Sequence, residues 1–166
     1  TDSVFSGKQG NYSESDPADS QDVYGRSKLL GEVDYPYAVT LRTSIIGREL
    51  RSAHGLVDWF LSQQGRVKGY TSAVFSGLPT CELARVVREH VIPHDILRGV
   101  YHVAAEPISK YDLLQLVNRV YDKALEIDPD DKVKIYRSLN SDRFREATGY
   151  VAPSWPELVA RMHDFG

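Results

Sequence analysis

Asp22-Val23-Tyr24-Gly25-Arg26-Ser27-Lys28-Leu29-Leu30-Gly31 is the stretch on which the fold turns. Val23, Leu29 and Leu30 fall at helical spacing and predict a helix from Asp22 to about Val33. Residues 37–42, Tyr-Ala-Val-Thr-Leu-Arg, then read as a buried strand. Upstream, Thr1–Phe5 reads as a short strand running into the Gly-containing loop 6–10, and the polar, turn-rich residues 11–20 read as a surface loop. Downstream, residues 54–64 fit a helix with Val57, Phe60 and Leu61 on one face. Residues 70–79 read as a loop. Thr80 is placed to cap a helix carrying Leu83, Val87 and Val91, which Pro93 ends. Val100–Val103 suits a short buried strand. Ser109 and Asp112 open a helix with Leu113, Val117 and Val120 on its apolar face. A polar loop from 125 leads to a strand at Val133–Tyr136, and a short helix from Ser141 stops at Gly149. Ser154 and Glu157 form a capping-box pair for a last helix to about His163. Strands alternating with helices predict an α/β fold.

Composition narrows the function. The 166 residues are 42% apolar and 26% charged, which suits a folded domain rather than a disordered tail. No apolar run approaches the roughly 18 residues of a membrane span. The formal charge of −3 argues against nucleic acid or an anionic membrane as partner. The single cysteine, Cys81, excludes an internal disulfide and fits a reducing compartment such as the cytoplasm. The glycines form neither GxGxxG nor GxxGxxG, so the usual pyrophosphate-binding turn of a dinucleotide fold is missing.

Tyr24 and Lys28 stand four apart and share one face of the predicted helix. A phenol, with a pKa of about 10, is a poor proton shuttle at neutral pH, and a fixed ammonium beside it favours the phenolate. With 10 tyrosines in 166 residues, this spacing alone carries little weight. Its neighbours carry more. Thr1-Asp2-Ser3-Val4-Phe5-Ser6-Gly7, the segment from Tyr24 to Glu32, Leu41-Arg42-Thr43-Ser44, and Gly77-Leu78-Pro79-Thr80 with the helix after it occur in one order and spacing. Together they resemble the extended short-chain dehydrogenase/reductases, and among them the dTDP-4-dehydrorhamnose reductase-like branch.

The resemblance implies a fold and roles. The chain would be the C-terminal part of a Rossmann-like short-chain reductase: a single domain with the end of the parallel sheet at about 1–50 and a small substrate-binding lobe at about 51–166. Thr1 would hydrogen-bond the substrate carbonyl. Tyr24 would protonate its oxygen, and Lys28 would make the phenolate easier to form and hold the nicotinamide ribose. Thr43 and Ser44 would lie near the nicotinamide. Val4, Phe5, Pro79 and Thr80 would face the substrate. The parent reaction would be NAD(P)H-dependent reduction of a keto group on a nucleotide-linked sugar, with NADP or NAD as cofactor. The isolated segment would be inactive. A non-catalytic regulatory subunit and an NAD-dependent epimerase are the alternatives. Ser3 replaces the acidic residue of the family's dehydratases, and Ile45 replaces an aromatic residue common in the reductases. A parallel sheet cut at Thr1 would expose an edge, which predicts self-association or rearrangement of that strand.

Other side chains carry less chemistry. His90 and His94 flank Pro93 with no third ligand in view, so a metal is not expected. Cys81 reads as a small apolar filler. Arg137, Arg143 and Arg145 form a basic cluster able to meet a substrate phosphate or the acids Asp142 and Glu146.

Overall fold

The computed structural model describes residues 1–33, 35–49 and 55–166. In chain order its elements are a 3-10 turn Asp2–Val4, α1 Val23–Leu30, β1 Val39–Arg42, β2 Ile45–Ile46, α2 Leu56–Ser62, β3 Arg66–Tyr70, β4 Ala73–Phe75, β5 Leu78–Pro79, α3 Thr80–Val86, β6 Gly99–His102, β7 Ile108–Ser109, α4 Lys110–Val120, β8 Glu126–Asp130, β9 Ile135–Tyr136, α5 Asp142–Thr148 and α6 Trp155–Phe165. The helix begun by α3 continues as one wide turn, Val87–Val91, in which Ile92 N–H reaches back five residues to the Val87 carbonyl. The α/β class is therefore as expected.

The pairings are mostly parallel. β1 runs beside β6 with Val39 opposite Gly99 and Arg42 opposite His102. β2 pairs with β5, and β3 with β8, both parallel. β4 lies between β7, antiparallel, and β9, parallel. A large apolar core runs beneath these strands through Val57, Phe60, Leu78, Leu113, Phe144 and Leu158. Ile46, Val39 and Leu41 pack into the same core, so it draws on both sides of residue 50. A smaller core holds Val4, Phe5, Tyr12, Ala104 and Leu139.

Several expectations need correction. Thr1–Phe5 is not a strand. The Thr1 hydroxyl accepts a hydrogen bond from Ser3 N–H at 3.2 Å, and Phe5 N–H bonds the Asp2 carbonyl at 3.0 Å, which closes a 3-10 turn. Val4 and Phe5 are then pulled into the smaller core, where Phe5 stacks on Tyr12 at 4.2 Å. The edge expected at Thr1–Phe5 does not exist, and with it goes the reason for self-association there. Among the described residues, β1 is paired on one side only. The supposed loop 70–79 contains β4 and β5, and the stretch from 125 contains β8. These strands are too short, or too polar on their outer face, to announce themselves. Pro79, not Thr80, precedes α3, and at the start of α6 the Ser154 side chain makes no cap bond while the Glu157 carboxylate pairs with Arg161. The expected start of the second helix at residue 54 lies outside the described residues.

Other local signals are met. Ser109 Oγ accepts from Asp112 N–H at 3.0 Å and donates to its carboxylate at 2.6 Å, fixing the start of α4. Gly149 ends α5 with φ of +72°, a left-handed geometry that favours glycine.

His102 on β6 is completely buried beneath Phe5, 5.7 Å away edge-on, and its Nδ1 lies 2.9 Å from the Tyr12 carbonyl. Burial lowers its pKa below the ordinary imidazole value of 6.5, although the nearby Glu14 works the other way. The folded state thus refuses a proton that the unfolded chain accepts. Stability from this group is complete above pH of about 6.5 and is lost as pH falls below it. Urea midpoints measured from pH 7.5 to 5 should fall, and His102→Asn should flatten the slope. An equal slope in both proteins would contradict this.

Candidate functional site

The helix bearing Tyr24 and Lys28 is held at its two ends rather than by an apolar face. At its start, the Asp22 carboxylate accepts from Gly25 N–H at 2.7 Å and from Ser20 Oγ at 2.7 Å. The Gly25 hydrogen bond is the main reason its carboxyl pKa lies below the usual range. Just beyond its end, Glu32 forks onto the buried Arg42 of β1 at 2.7 and 2.8 Å. Val23 and Leu30 are 86% and 87% exposed, so the expected apolar face of α1 does not enter the core. Gly25 is its one buried residue. It sits so close to the 3-10 turn that a Cβ there would lie 2.2 Å from the Ser3 carbonyl oxygen. Gly25→Ala should therefore push α1 off the turn and cost about 1–3 kcal/mol. Unchanged chemical denaturation would refute that contact.

This seating puts α1 against the turn that starts at Thr1, and of the predicted residues Ser44 lines a cavity together with Ser3. Tyr24 is 56% exposed, and Lys28 Nζ lies 5.5 Å from its ring centroid. Thr1 caps Ser3 through its oxygen. No acceptor engages the Thr1 hydroxyl proton among the described residues, so that proton remains available to an incoming oxygen. Thr43 and Ser44 follow the carboxyl end of β1, where open parallel sheets bind ligands. Thr43 Oγ1 donates to the Ser44 carbonyl at 3.2 Å, and Leu78 N–H donates to the same oxygen at 2.8 Å. Gly77 passes so near that a Cβ would lie 2.4 Å from that carbonyl.

Beside them lies a cavity of about 220 Å³ lined by Asp2, Ser3, Ser44, Phe75, Lys110 and Arg137, among others. A second, of about 190 Å³, is lined by Gly47, Arg48, Glu49, Thr80 and again Lys110. Thr80 thus faces open space. Pro79 does not: it is buried in β5 opposite Ile46. The side chains of Val4 and Phe5 are 1% and 0% exposed and cannot touch a ligand. Packing against Tyr12 and Leu139 claims them instead.

Lys110 is the residue the sequence reading missed. Its amine lies 3.6 Å from the Phe75 ring centroid, and burial lowers its pKa to about 8 while Asp2 opposes the shift. The available signal was a lysine at the first position of a helix, where the dipole disfavours a cation. Of the basic cluster, Arg137 alone reaches the cavity. Arg145 pairs with Asp142 at 2.6 Å, and Arg143 lies over Tyr101.

The mostly parallel α/β arrangement places the chain in the Rossmann-like fold class. Family comparison makes this specific: the RmlD substrate binding domain matches residues 1–164, and the chain belongs to that family. A hypothetical dTDP-4-dehydrorhamnose reductase from Sulfolobus tokodaii is 26% identical and superposes with a TM-score of 0.75, over 93% of this chain and 59% of that one. The dTDP-4-dehydrorhamnose reductase of Bacillus anthracis, solved in complex with NADP, shares the fold at 18% identity and a TM-score of 0.83, over 99% and 63%. Methionine adenosyltransferase 2 subunit beta of Danio rerio is 31% identical over 126 residues, 68% of this chain and 39% of that protein. The chain thus spans less than two thirds of each relative's length. Among the described residues, no helix is long and apolar enough to cross a membrane.

Proposed function

We propose that the natural gene product carrying this chain reduces a keto group on a nucleotide-linked sugar with NAD(P)H. The observation that carries this reading is the seating of α1 on Ser3. Tyr24 and Lys28 lie side by side on α1, whose Gly25 packs on Ser3, and Ser3 lines a polar cavity with two cations. An ammonium, a phenol and the hydroxyls of Thr43 and Ser44 suit the hydroxyls and amide of a nicotinamide riboside. When bound, that group supplies a hydride to the carbonyl carbon. Thr1 donates a hydrogen bond to the carbonyl oxygen and stabilises its growing negative charge. Tyr24 transfers its phenolic proton to that oxygen, and the Lys28 ammonium stabilises the phenolate left behind. Thr80 contacts the sugar nucleotide from the second cavity. The chain by itself binds NADPH weakly and does not turn over. Micromolar affinity for NADPH in calorimetry on residues 1–166 would contradict that part.

The test is oxidation of NADPH by the gene product in the presence of a 4-keto sugar nucleotide. Turnover supports the reading, and none with either nicotinamide cofactor overturns it. A second reading is a non-catalytic subunit of another enzyme. It is favoured by the 31% identity to a protein whose name makes it a subunit. A stable enzyme partner in pull-downs, with no NADPH oxidation, would select it.

A further inference from the structure

Arg42 of β1 is only 7% exposed, and its guanidinium is held on three sides. Glu32 accepts from Nε at 2.7 Å and from Nη2 at 2.8 Å. The Phe5 ring lies 5.5 Å away. Nη1 faces His102 Nε2 at 3.4 Å, and the other ring nitrogen, Nδ1, faces the Tyr12 carbonyl at 2.9 Å. Arginine only donates and a carbonyl only accepts. Nε2 therefore bears the lone pair and Nδ1 the proton, and the completely buried ring is neutral. A further proton would set a second N–H and a second positive charge against Arg42, inside the core.

The other end of this row is the helix that carries the proposed chemistry. Tyr24, Lys28 and Glu32 follow one another at intervals of four, and Gly25 is the one buried residue of α1. With no apolar face in the core, α1 takes its placement from Asp22 at its start and from the Glu32–Arg42 fork just past its end. A helix so little buried moves when one of two anchors lets go. We propose that Arg42 is a positioning residue for Tyr24 and Lys28, and that His102 governs whether it holds them. The inference rests on the reductase reading of those two residues and adds a control on their placement.

The charged groups around His102 are Arg42 from β1 with Glu32 behind it, and Glu14 and Asp16 from the loop before α1. Glu14 accepts from the His102 backbone N–H at 2.7 Å. Phe5, Tyr12 and the Asn140 backbone supply the remaining contacts. Carboxylates, phenols and guanidinium groups do not ordinarily titrate between pH 5.5 and 7.5, so the imidazole is the group that changes charge there. Burial holds its pKa below 6.5. Arg42 therefore holds α1 above that pH and releases it as pH falls further below.

The test follows hydrogen exchange in the natural gene product by mass spectrometry, with rates corrected for the intrinsic effect of pH. Lowering pH from 7.5 to 5.5 should speed exchange in peptides covering α1 at least about fivefold more than in those covering α4 and α6. This arm needs no variant. At pH 7.5, Arg42→Met should have the same effect. His102→Asn, whose amide donates and accepts without titrating, should remove the response to pH. Circular dichroism confirms that both variants fold. Turnover is read with NADPH and a 4-keto sugar nucleotide. Arg42→Met and Glu32→Gln should each lower kcat about tenfold or more with KM within about twofold, and the double variant should lose no more than either alone. Wild-type kcat should fall on the acid side of the profile, and that of His102→Asn should not. Exchange in α1 that ignores both pH and Arg42→Met, or that rises no more than in α4 and α6, overturns the proposal. Opening of α1 with unchanged kcat overturns the positioning role. No turnover in wild type with either nicotinamide cofactor, while α1 still responds, overturns the reductase reading and leaves the coupling of His102 to α1 standing.

Discussion

Tyr24→Phe in the natural gene product is expected to lower kcat/KM for a keto sugar nucleotide by about 10²–10⁴-fold. The phenol is the proton donor in the proposed reaction, and Phe keeps the ring while removing the proton. Its hydroxyl makes no hydrogen bond among the described residues, and the residue is 56% exposed, so the fold loses nothing. Stability should therefore stay within about 0.5 kcal/mol of wild type. Lys28→Met should also slow turnover, because the phenolate would lose its counter-charge. A merely structural Lys28 would leave kcat untouched, since its ammonium is solvated and contributes little to folding. Full activity in Tyr24→Phe would remove the phenol from the chemistry.

Glu82→Ala should cause the largest loss of stability, about 3 kcal/mol, or roughly 10 °C in Tm. Glu82 opens α3, and its side chain is 1% exposed. It accepts from Arg85 at 2.7 Å, from Arg161 of α6 at 2.8 Å and from the Tyr150 hydroxyl at 3.0 Å. One carboxylate thus ties α3, α6 and the segment after α5 together. Removing it strands the buried Tyr150 donor and leaves two guanidinium groups facing each other, although both can turn partly to water. Burial works to raise the Glu82 pKa, but the bonds from Arg85, Arg161 and Tyr150 together bring it below 4.5. The stabilisation is therefore present above pH of about 4.5 and fades as pH falls further. Differential scanning calorimetry at pH 7 reads the effect. A shift under 2 °C would mean that the network is not holding these elements together.

The sequence disclosed this molecule unevenly, for physical reasons. Helices with a cap and an apolar stripe were legible: Ser109 with Asp112, and Leu113 with Val117, mark α4 correctly. Short strands were not. β2, β5 and β9 have two residues each, too few for alternation to register. Thr1–Phe5 looks extended because Val and Phe favour strands, yet one side-chain oxygen and two buried anchors fold it into a turn. Tyr24 and Lys28 could be found because a helix converts a spacing of four into a shared face. Lys110 could not, because what marks it is its burial against the Phe75 ring, with no hydrogen-bond or ion-pair partner among the described residues. Unused charge is a property of the folded cavity, and only the arrangement of Asp2, Phe75 and Arg137 around it makes that visible. Val4 and Phe5 show the reverse error: adjacency to Thr1 suggested contact with substrate, while packing with Tyr12 buried them.

The most direct test follows the hydrogen itself. The natural gene product is incubated with NADPH deuterated at the transferable position and with a 4-keto sugar nucleotide, and the product sugar is examined by NMR. Reduction at this site predicts one deuterium on the former carbonyl carbon for each NADPH consumed, abolished or slowed at least a hundredfold by Tyr24→Phe. Conversion of the sugar without consumption of NADPH, or no conversion in a protein that holds another enzyme as its partner, would contradict it.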